Sequence, residues 1–113
     1  MKETFGKLLK DLRREKNVSQ RELAEKIGVD FSYISKVEND RLPPPAAETT
    51  MKIARVLGIP VEELLSHGNK LPLDLKDMLG SNAAALKFMN AARDMQLSKD
   101  EWGLLTENLK RLR

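Results

Sequence analysis

The residue types that could do chemistry are few in this chain, and their arrangement excludes several kinds of site. There is no cysteine, so a disulfide framework and a thiolate-bound zinc or iron–sulfur centre are excluded. His67 is the one histidine, and by itself it cannot form a histidine cluster for a metal. No nucleophile is paired with a base and no glycine-rich phosphate loop occurs, so the sequence predicts neither an enzyme nor a cofactor.

One short segment carries several hydrogen-bond donors on a single face. Ile34 and Val37 lie three residues apart and are expected to point inward. That spacing leaves Ser32, Ser35 and Lys36 on the outside, where two hydroxyl groups and an ammonium group can meet a ligand.

The elements that position these donors are predicted to be helices throughout, which makes the fold all-α. The first helical stripe consists of Phe5, Leu8, Leu9 and Leu12. The pattern from Ser19 to Glu22 predicts a capping box at the start of the second helix, and Gly28 predicts its left-handed end. Asp30 is the predicted N-cap of the third helix.

The rest of the chain continues in helices that are interrupted twice. A run of three prolines predicts a loop before a fourth helix at about 46–57, and Pro60 suits the first turn of a fifth. Between 66 and 73 the apolar period is lost, which predicts a linker with His67 as an exposed residue. Three further helices are predicted near 73–79, 81–95 and 98–111, the last with a capping box of its own.

Composition limits the class of protein and the partners. With 113 residues, 41% of them hydrophobic, the chain is one domain, or a domain of roughly 65 residues with a helical appendage. The net charge of +3, from 20 basic and 17 acidic residues, permits a nucleic-acid partner without demanding one. No apolar run approaches transmembrane length and the start lacks the apolar core of a signal peptide, so the expected location is the cytoplasm.

Two short helices joined by a glycine-containing turn inside a five-helix set form the helix-turn-helix layout. The residues that match most closely lie in the segments 19–29, 33–39, 53–58 and 64–65. They strongly resemble the Cro/C1-type (XRE) family of DNA-binding domains, and the resemblance covers about residues 3–66. It implies a five-helix, lambda-repressor-like helix-turn-helix domain at 1–68, followed by a small helical dimerisation region at 69–113.

The resemblance implies that the third helix enters the major groove of DNA with its N-terminal residues on the base edges. The base-reading candidates carried over in this way are Phe31, Ser32 and Lys36, flanked by Tyr33 and Ser35. Lys36 could donate to guanine, whereas a serine hydroxyl contacts several bases and specifies weakly. Phe31 departs from the polar residue often found there, so it could touch a thymine methyl group, or it could be a core or staple residue.

The same resemblance implies phosphate contacts from Gln20, at the start of the second helix, and from Asn39 and Arg41 after the third. The alternative for these three residues is a solvated polar surface. In lambdoid phage repressors, the positions that match Arg13 and Glu38 form an ion pair that links the first helix to the end of the third. That pair would be structural.

Two apolar stripes lie in the last 40 or so residues. One consists of Ala84, Ala85, Phe88, Ala92 and Met95, and the other of Trp102, Leu105, Leu109 and Leu112. So short a segment cannot bury these faces alone, and they must pack on the first domain or on a second chain. Because operators are commonly palindromic, we favour a homodimer. Its predicted contacts are Phe88, Trp102, Leu105, Leu109 and Leu112.

The overall plan resembles SinR-like and DdrO-like repressors. The first are controlled by a small antagonist protein and the second by a metallopeptidase that cuts the C-terminal region, and both implied partners stay open here. The predicted function is a dimeric repressor on a palindromic operator in double-stranded DNA. The alternative is an antitoxin whose C-terminal region binds a toxin while its N-terminal domain binds DNA.

Overall fold

The computed structural model describes residues 3–113, which form helices without strands. The eight helices are α1 Phe5–Glu15, α2 Gln20–Ile27, α3 Phe31–Glu38, α4 Ala47–Leu57, α5 Val61–Gly68, α6 Leu73–Gly80, α7 Ala83–Met95 and α8 Lys99–Lys110. The described residues divide into two compact units, of which the first ends at Leu73 and the second comprises Asp74–Arg113. Between residues 3 and 113, no helix is long and apolar enough to cross a membrane. Because residues 3–113 form helices without strands, the all-α prediction is confirmed.

The helix ends follow local sequence signals, with one difference. At the start of α2, Ser19 Oγ accepts a hydrogen bond from the Glu22 amide at 3.0 Å, which is one half of the predicted capping box. The Glu22 carboxylate lies 3.3 Å from Lys26 Nζ, one helical turn further on, and takes up that interaction in place of the second half. Gly28 ends α2 in the left-handed conformation with φ 77°, as predicted. Asp30 occupies the N-cap of α3 without a side-chain cap bond.

The core of the first unit is formed by one apolar face from each of its five helices. Its fully buried members are Leu9, Leu23, Ile34, Ile53 and Leu64, each 0% exposed. Burial of each such side chain contributes about 1.5–3 kcal/mol. Because Ile34 and Val37 are part of this core, α3 is fixed in rotation about its axis and its other face points away from the domain.

The predicted linker at 66–73 is wrong in its first three residues, which continue α5 to Gly68. The reason is tertiary packing. A Cβ atom added at Gly68 would lie 3.3 Å from Pro44 Cβ and 3.5 Å from the ring of Phe5, so the helix end is packed against the domain. Asn69 then ends α5 in the left-handed conformation with φ 56°. The predicted domain boundary after residue 68 stays a prediction that limited proteolysis can test.

Gly6 allows α1 to cross closely over the C-terminal end of α3. A Cβ atom at this position would lie 2.8 Å from the Glu38 carbonyl oxygen, closer still to the Val37 carbonyl oxygen, and 2.5 Å from Asp40 Oδ1. Two of these neighbours are backbone atoms, which cannot move away without displacing α3. The close approach therefore sets the position of the helix that carries the candidate base-reading residues.

We expect Gly6→Ala to lower the free energy of unfolding by about 1–3 kcal/mol, since the added methyl group overpacks a backbone contact. Urea unfolding followed by circular dichroism measures the change. Gly80→Ala is the control, because a Cβ atom there meets nothing within 4 Å. A Gly6 variant as stable as the Gly80 variant would show that α1 and α3 do not need this close approach.

Candidate nucleic-acid interface

Four of the predicted base-reading residues, all on α3, differ in how far they are exposed to solvent. Ser32 and Lys36 are exposed, on the side opposite the buried Ile34 and Val37. Tyr33 and Ser35 are half-buried along the edge of the helix. Burial raises the pKa of the Tyr33 phenol above its ordinary value. The structure thus brings Ser32 and Lys36 together on one open face, with the other two beside it.

Phe31, at the first position of α3, is not a core residue. The residue is 41% exposed, which removes the core alternative that the sequence left open. The guanidinium carbon of Arg21 lies over the ring, 4.7 Å from its centroid, in a cation–π arrangement. Arg21 was not predicted as a site residue, because the contact joins two helices and leaves no periodic signal in the sequence.

A shallow cleft of about 420 Å³ lies beside the start of α2. It is lined by Lys10, Arg13, Arg14, Ser19, Gln20, Arg21, Phe31 and Asn39. Four of these side chains are basic and none is acidic. Because Arg13 is paired with Glu38, the excess positive charge comes from Lys10, Arg14 and Arg21. These three side chains give the cleft the electrostatic character of an anion-binding surface. The sequence could have indicated Lys10 and Arg14, which are one helical turn apart, but not that they line one cleft together with residues of α2.

Two of the residues that are predicted to bind phosphate line this cleft, and the side-chain amide of each donates one hydrogen bond within the protein. Gln20 Nε2 donates to Glu38 Oε1 at 2.9 Å, and Asn39 Nδ2 donates to the Ser35 carbonyl oxygen at 2.9 Å. Each side-chain amide nitrogen carries two hydrogens, so one N–H group on each remains for a ligand. Arg41, the third prediction, is exposed in the turn after α3 and does not line the cleft.

The ion pair implied for Arg13 and Glu38 is confirmed. Arg13 Nε lies 2.6 Å from Glu38 Oε2, and a second nitrogen of the same guanidinium donates to Oε1 at 2.9 Å. The two side chains are only 9% and 1% exposed. Arg13 also donates to the Val18 carbonyl oxygen at 2.9 Å. The pair fixes α1 to the end of α3, and through Gln20 it reaches the start of α2.

The second unit has a different surface, which is apolar and open. A groove of about 620 Å³ runs along it. It is lined by Met78, Leu79, Ala85, Phe88, Met89, Trp102, Leu105, Thr106, Asn108, Leu109 and Leu112. All five residues predicted for dimerisation are among them. The large side chains Phe88, Trp102, Leu109 and Leu112 are exposed and Leu105 is half-buried, so the predicted stripe is uncovered in the single chain.

Five packed helices, with α2 and α3 joined by a tight turn and α3 open on one face, define a helix-turn-helix domain. The helix-turn-helix family model matches residues 9–64. The chain belongs to this family, that of the XRE-type transcriptional regulators.

Curated relatives support the assignment over most of the chain. The transcriptional repressor RghR of Bacillus subtilis is 31% identical over an aligned length of 113 positions, gaps included. The alignment covers 93% of this chain and 82% of RghR. The transcriptional regulator SinR of the same species is 36% identical over 70 residues, or 62% of this chain and 63% of SinR.

Solved structures show the same fold. The crystal structure of SinR in complex with DNA has a TM-score of 0.52 and 39% identity, and it covers 55% of this chain and 98% of that chain. A chain in the structure of the SinR–SinI complex has a TM-score of 0.54 and 28% identity, and the match covers 95% of this chain and 95% of that chain. The likeness to the DNA complex thus covers about half of this chain.

Proposed function

We propose that this chain is a dimeric, sequence-specific repressor that binds a palindromic operator through the major groove of DNA in the cytoplasm. The observation that carries the proposal is the open polar face of α3, with Ser32 and Lys36 exposed opposite Ile34 and Val37. Membership of a family of DNA-binding regulators and the relative RghR, a repressor, support it.

In the proposed complex, α3 lies in the major groove and its side chains read base edges. The ammonium group of Lys36 donates to guanine O6 or N7, and the hydroxyl group of Ser32 contacts a neighbouring base. Phe31 packs on a thymine methyl group, for which its exposed ring is available. Tyr33 and Ser35 flank these contacts from the half-buried edge of the helix.

Phosphate groups are proposed to bind at the basic cleft beside α2. The free N–H groups of Gln20 and Asn39 would donate to phosphate oxygens there. The N-terminus of α2 adds backbone amides and a positive dipole end to the same place. Arg41 would contact the backbone at the far end of α3. These contacts position the protein on DNA without reading its sequence.

The second unit is proposed to hold two chains together. Of the buried hydrophobic residues in the described chain, Ala92 is the one that lies after residue 73. The exposed large hydrophobic residues in the same part are Leu75, Met78, Leu86, Phe88, Met89, Met95, Trp102, Leu104, Leu109 and Leu112. A unit with so much apolar surface and so little core needs a partner. A second copy presents the same surface and buries it symmetrically.

An antagonist protein is the further partner proposed for this surface. A relative, SinR, has a structure in complex with another protein, SinI, and that complex resembles this chain over 95% of its length. Such a protein would compete with the second copy for the apolar groove, which would couple its binding to release of the operator. Cleavage by a regulatory peptidase stays a prediction from the sequence.

The proposed function is tested by selecting bound sites from random duplex DNA and then measuring affinity for the selected and mismatched sites. Lys36→Ala is expected to lose about 1–3 kcal/mol on the selected site and to relax the preference at one base position. Gln20→Ala should weaken all sequences evenly, because a phosphate contact carries no sequence information.

Lys52→Ala is the control, since Lys52 is an exposed lysine on α4 outside the candidate interface. Circular dichroism confirms that each variant is folded. Unchanged affinity and selectivity in the Lys36 variant would contradict the assignment of α3 as the reading helix. A wild-type chain that selects no site would overturn the proposed function as a whole.

A further inference from the structure

The contact between Arg21 and Phe31 joins the two helices of the helix-turn-helix at the N-terminal end of α3. Arg21 is the second residue of α2 and Phe31 is the first of α3. The guanidinium carbon lies 4.7 Å from the ring centroid, and Phe31 remains 41% exposed. The contact therefore lies at the end of α3 whose residues are proposed to contact base edges.

Arg21 is otherwise unengaged in the part of the chain that the structure describes. No carboxylate lies within 4.0 Å of its guanidinium, and no hydrogen bond is formed by its nitrogen atoms. Arg13, by contrast, donates hydrogen bonds to the Glu38 carboxylate and to the Val18 carbonyl oxygen. The five N–H donors of Arg21 are therefore free for a ligand while the ring of Phe31 limits the rotamers of its side chain.

The two side chains offer complementary chemistry. A guanidinium group donates two parallel hydrogen bonds to guanine O6 and N7, which is the commonest specific contact in the major groove. An exposed aromatic ring packs on the methyl group of thymine. Neighbouring base pairs are stacked about 3.4 Å apart. Because the guanidinium lies over the ring at 4.7 Å, the two groups are close enough for each to reach the edge of one of two adjacent base pairs.

We propose that Arg21 and Phe31 form one composite reading element that recognises a thymine next to a guanine in the operator. The proposal rests on the proposed function, because it requires that α3 enters the major groove. It makes Arg21 a specificity-determining residue, in addition to the residues on α3 itself. Arg21 would bind the guanine only while the ring of Phe31 holds its guanidinium at the groove.

Arg21→Lys tests the guanine contact, because lysine keeps the charge but lacks the fork of two parallel donors. The probe is the duplex that the wild-type chain selects, compared with the same duplex in which only the guanine next to the thymine is replaced by 7-deazaguanine, which lacks N7. Any guanine that Lys36 contacts then keeps its N7 acceptor. The wild-type chain is expected to bind the modified duplex roughly 5- to 150-fold more weakly. The Arg21 variant should show a clearly smaller difference between the two duplexes, because an ammonium group lacks the fork that donates to O6 and N7 in parallel.

Phe31→Ala tests the thymine contact and the positioning of Arg21. Uracil in place of thymine removes the methyl group, which should weaken the wild-type chain and leave the Phe31 variant unaffected. The Phe31 variant should also lose most of its sensitivity to 7-deazaguanine, because Arg21 is no longer held. Arg55→Lys, on the exposed side of α4, is the matched control and should keep both sensitivities.

Two results would overturn the proposal while leaving the proposed function intact. The first is evidence that the guanidinium lies on the DNA backbone. Either Arg21→Lys would lose the same affinity on every duplex, or Arg21→Gln would reduce the salt dependence of binding by about one phosphate contact. The second is a selected site without adjacent thymine and guanine. A wild-type chain with no preferred site would overturn both proposals together.

Discussion

Replacing Glu38 with leucine is expected to lower the free energy of unfolding by about 3–5 kcal/mol, although leucine is the more apolar side chain. The substitution leaves the guanidinium of Arg13 buried, with the Val18 carbonyl oxygen as its remaining partner. Arg13→Met should cost a similar amount, because the carboxylate of Glu38 then keeps only Gln20 as a donor. A buried charge that has lost its ion partner cannot regain its hydration.

The double variant Arg13→Met/Glu38→Leu should be much more stable than the sum of the two single losses predicts, since neither charge is left buried. Urea unfolding of the four proteins measures this coupling. Lys26→Met provides the comparison for an exposed pair, with Glu22 at 3.3 Å, and should cost less than about 1 kcal/mol. Small, additive losses for Arg13 and Glu38 would show that the pair contributes little beyond packing.

Local signals in the sequence were sufficient to predict most of the helices. Apolar residues at helical spacing, with Ser19, Gly28 and Ser98 as caps, predicted α1 to α3 and α8 close to their observed ends. The capping box of α8 is complete, with the Ser98 amide donating to Glu101 Oε1 at 2.9 Å. Such signals succeed because each depends on residues within one helical turn.

Contacts between distant residues could not be predicted in the same way. Gly6 has no special neighbours in the sequence, and its role appears only when α1 crosses the end of α3. The first three residues of the predicted linker are helical because Gly68 packs on Pro44 and Phe5. Arg21 likewise needs the turn between α2 and α3 to reach Phe31. The Arg13–Glu38 pair was expected only through resemblance to a family.

A chain that ends at Leu73 is expected to fold and to be monomeric, whereas the full chain is expected to dimerise. The first unit contains nearly all of the buried hydrophobic residues and needs no help from the second. The second unit exposes its large side chains, and each one that is buried against a partner contributes about 1.5–3 kcal/mol. Loss of the dimer should weaken operator binding by about 100-fold or more, because two half-sites no longer bind together.

Leu105→Asp is expected to have the same effect as the truncation while keeping the full chain. Leu105 lines the groove of about 620 Å³ and also a second apolar groove of about 310 Å³, which is formed by α7 and α8. A carboxylate there would be buried at the dimer contact without a partner. Asn90→Asp is the matched control, because it adds the same charge on an exposed part of α7 that lines neither groove. Sedimentation equilibrium at micromolar concentration measures all four proteins. A monomeric wild-type chain would contradict the homodimer and favour a different protein, such as an antagonist or a toxin, as the partner of the groove. If the Leu105 and Asn90 variants both stay dimeric, the two chains associate through some other surface.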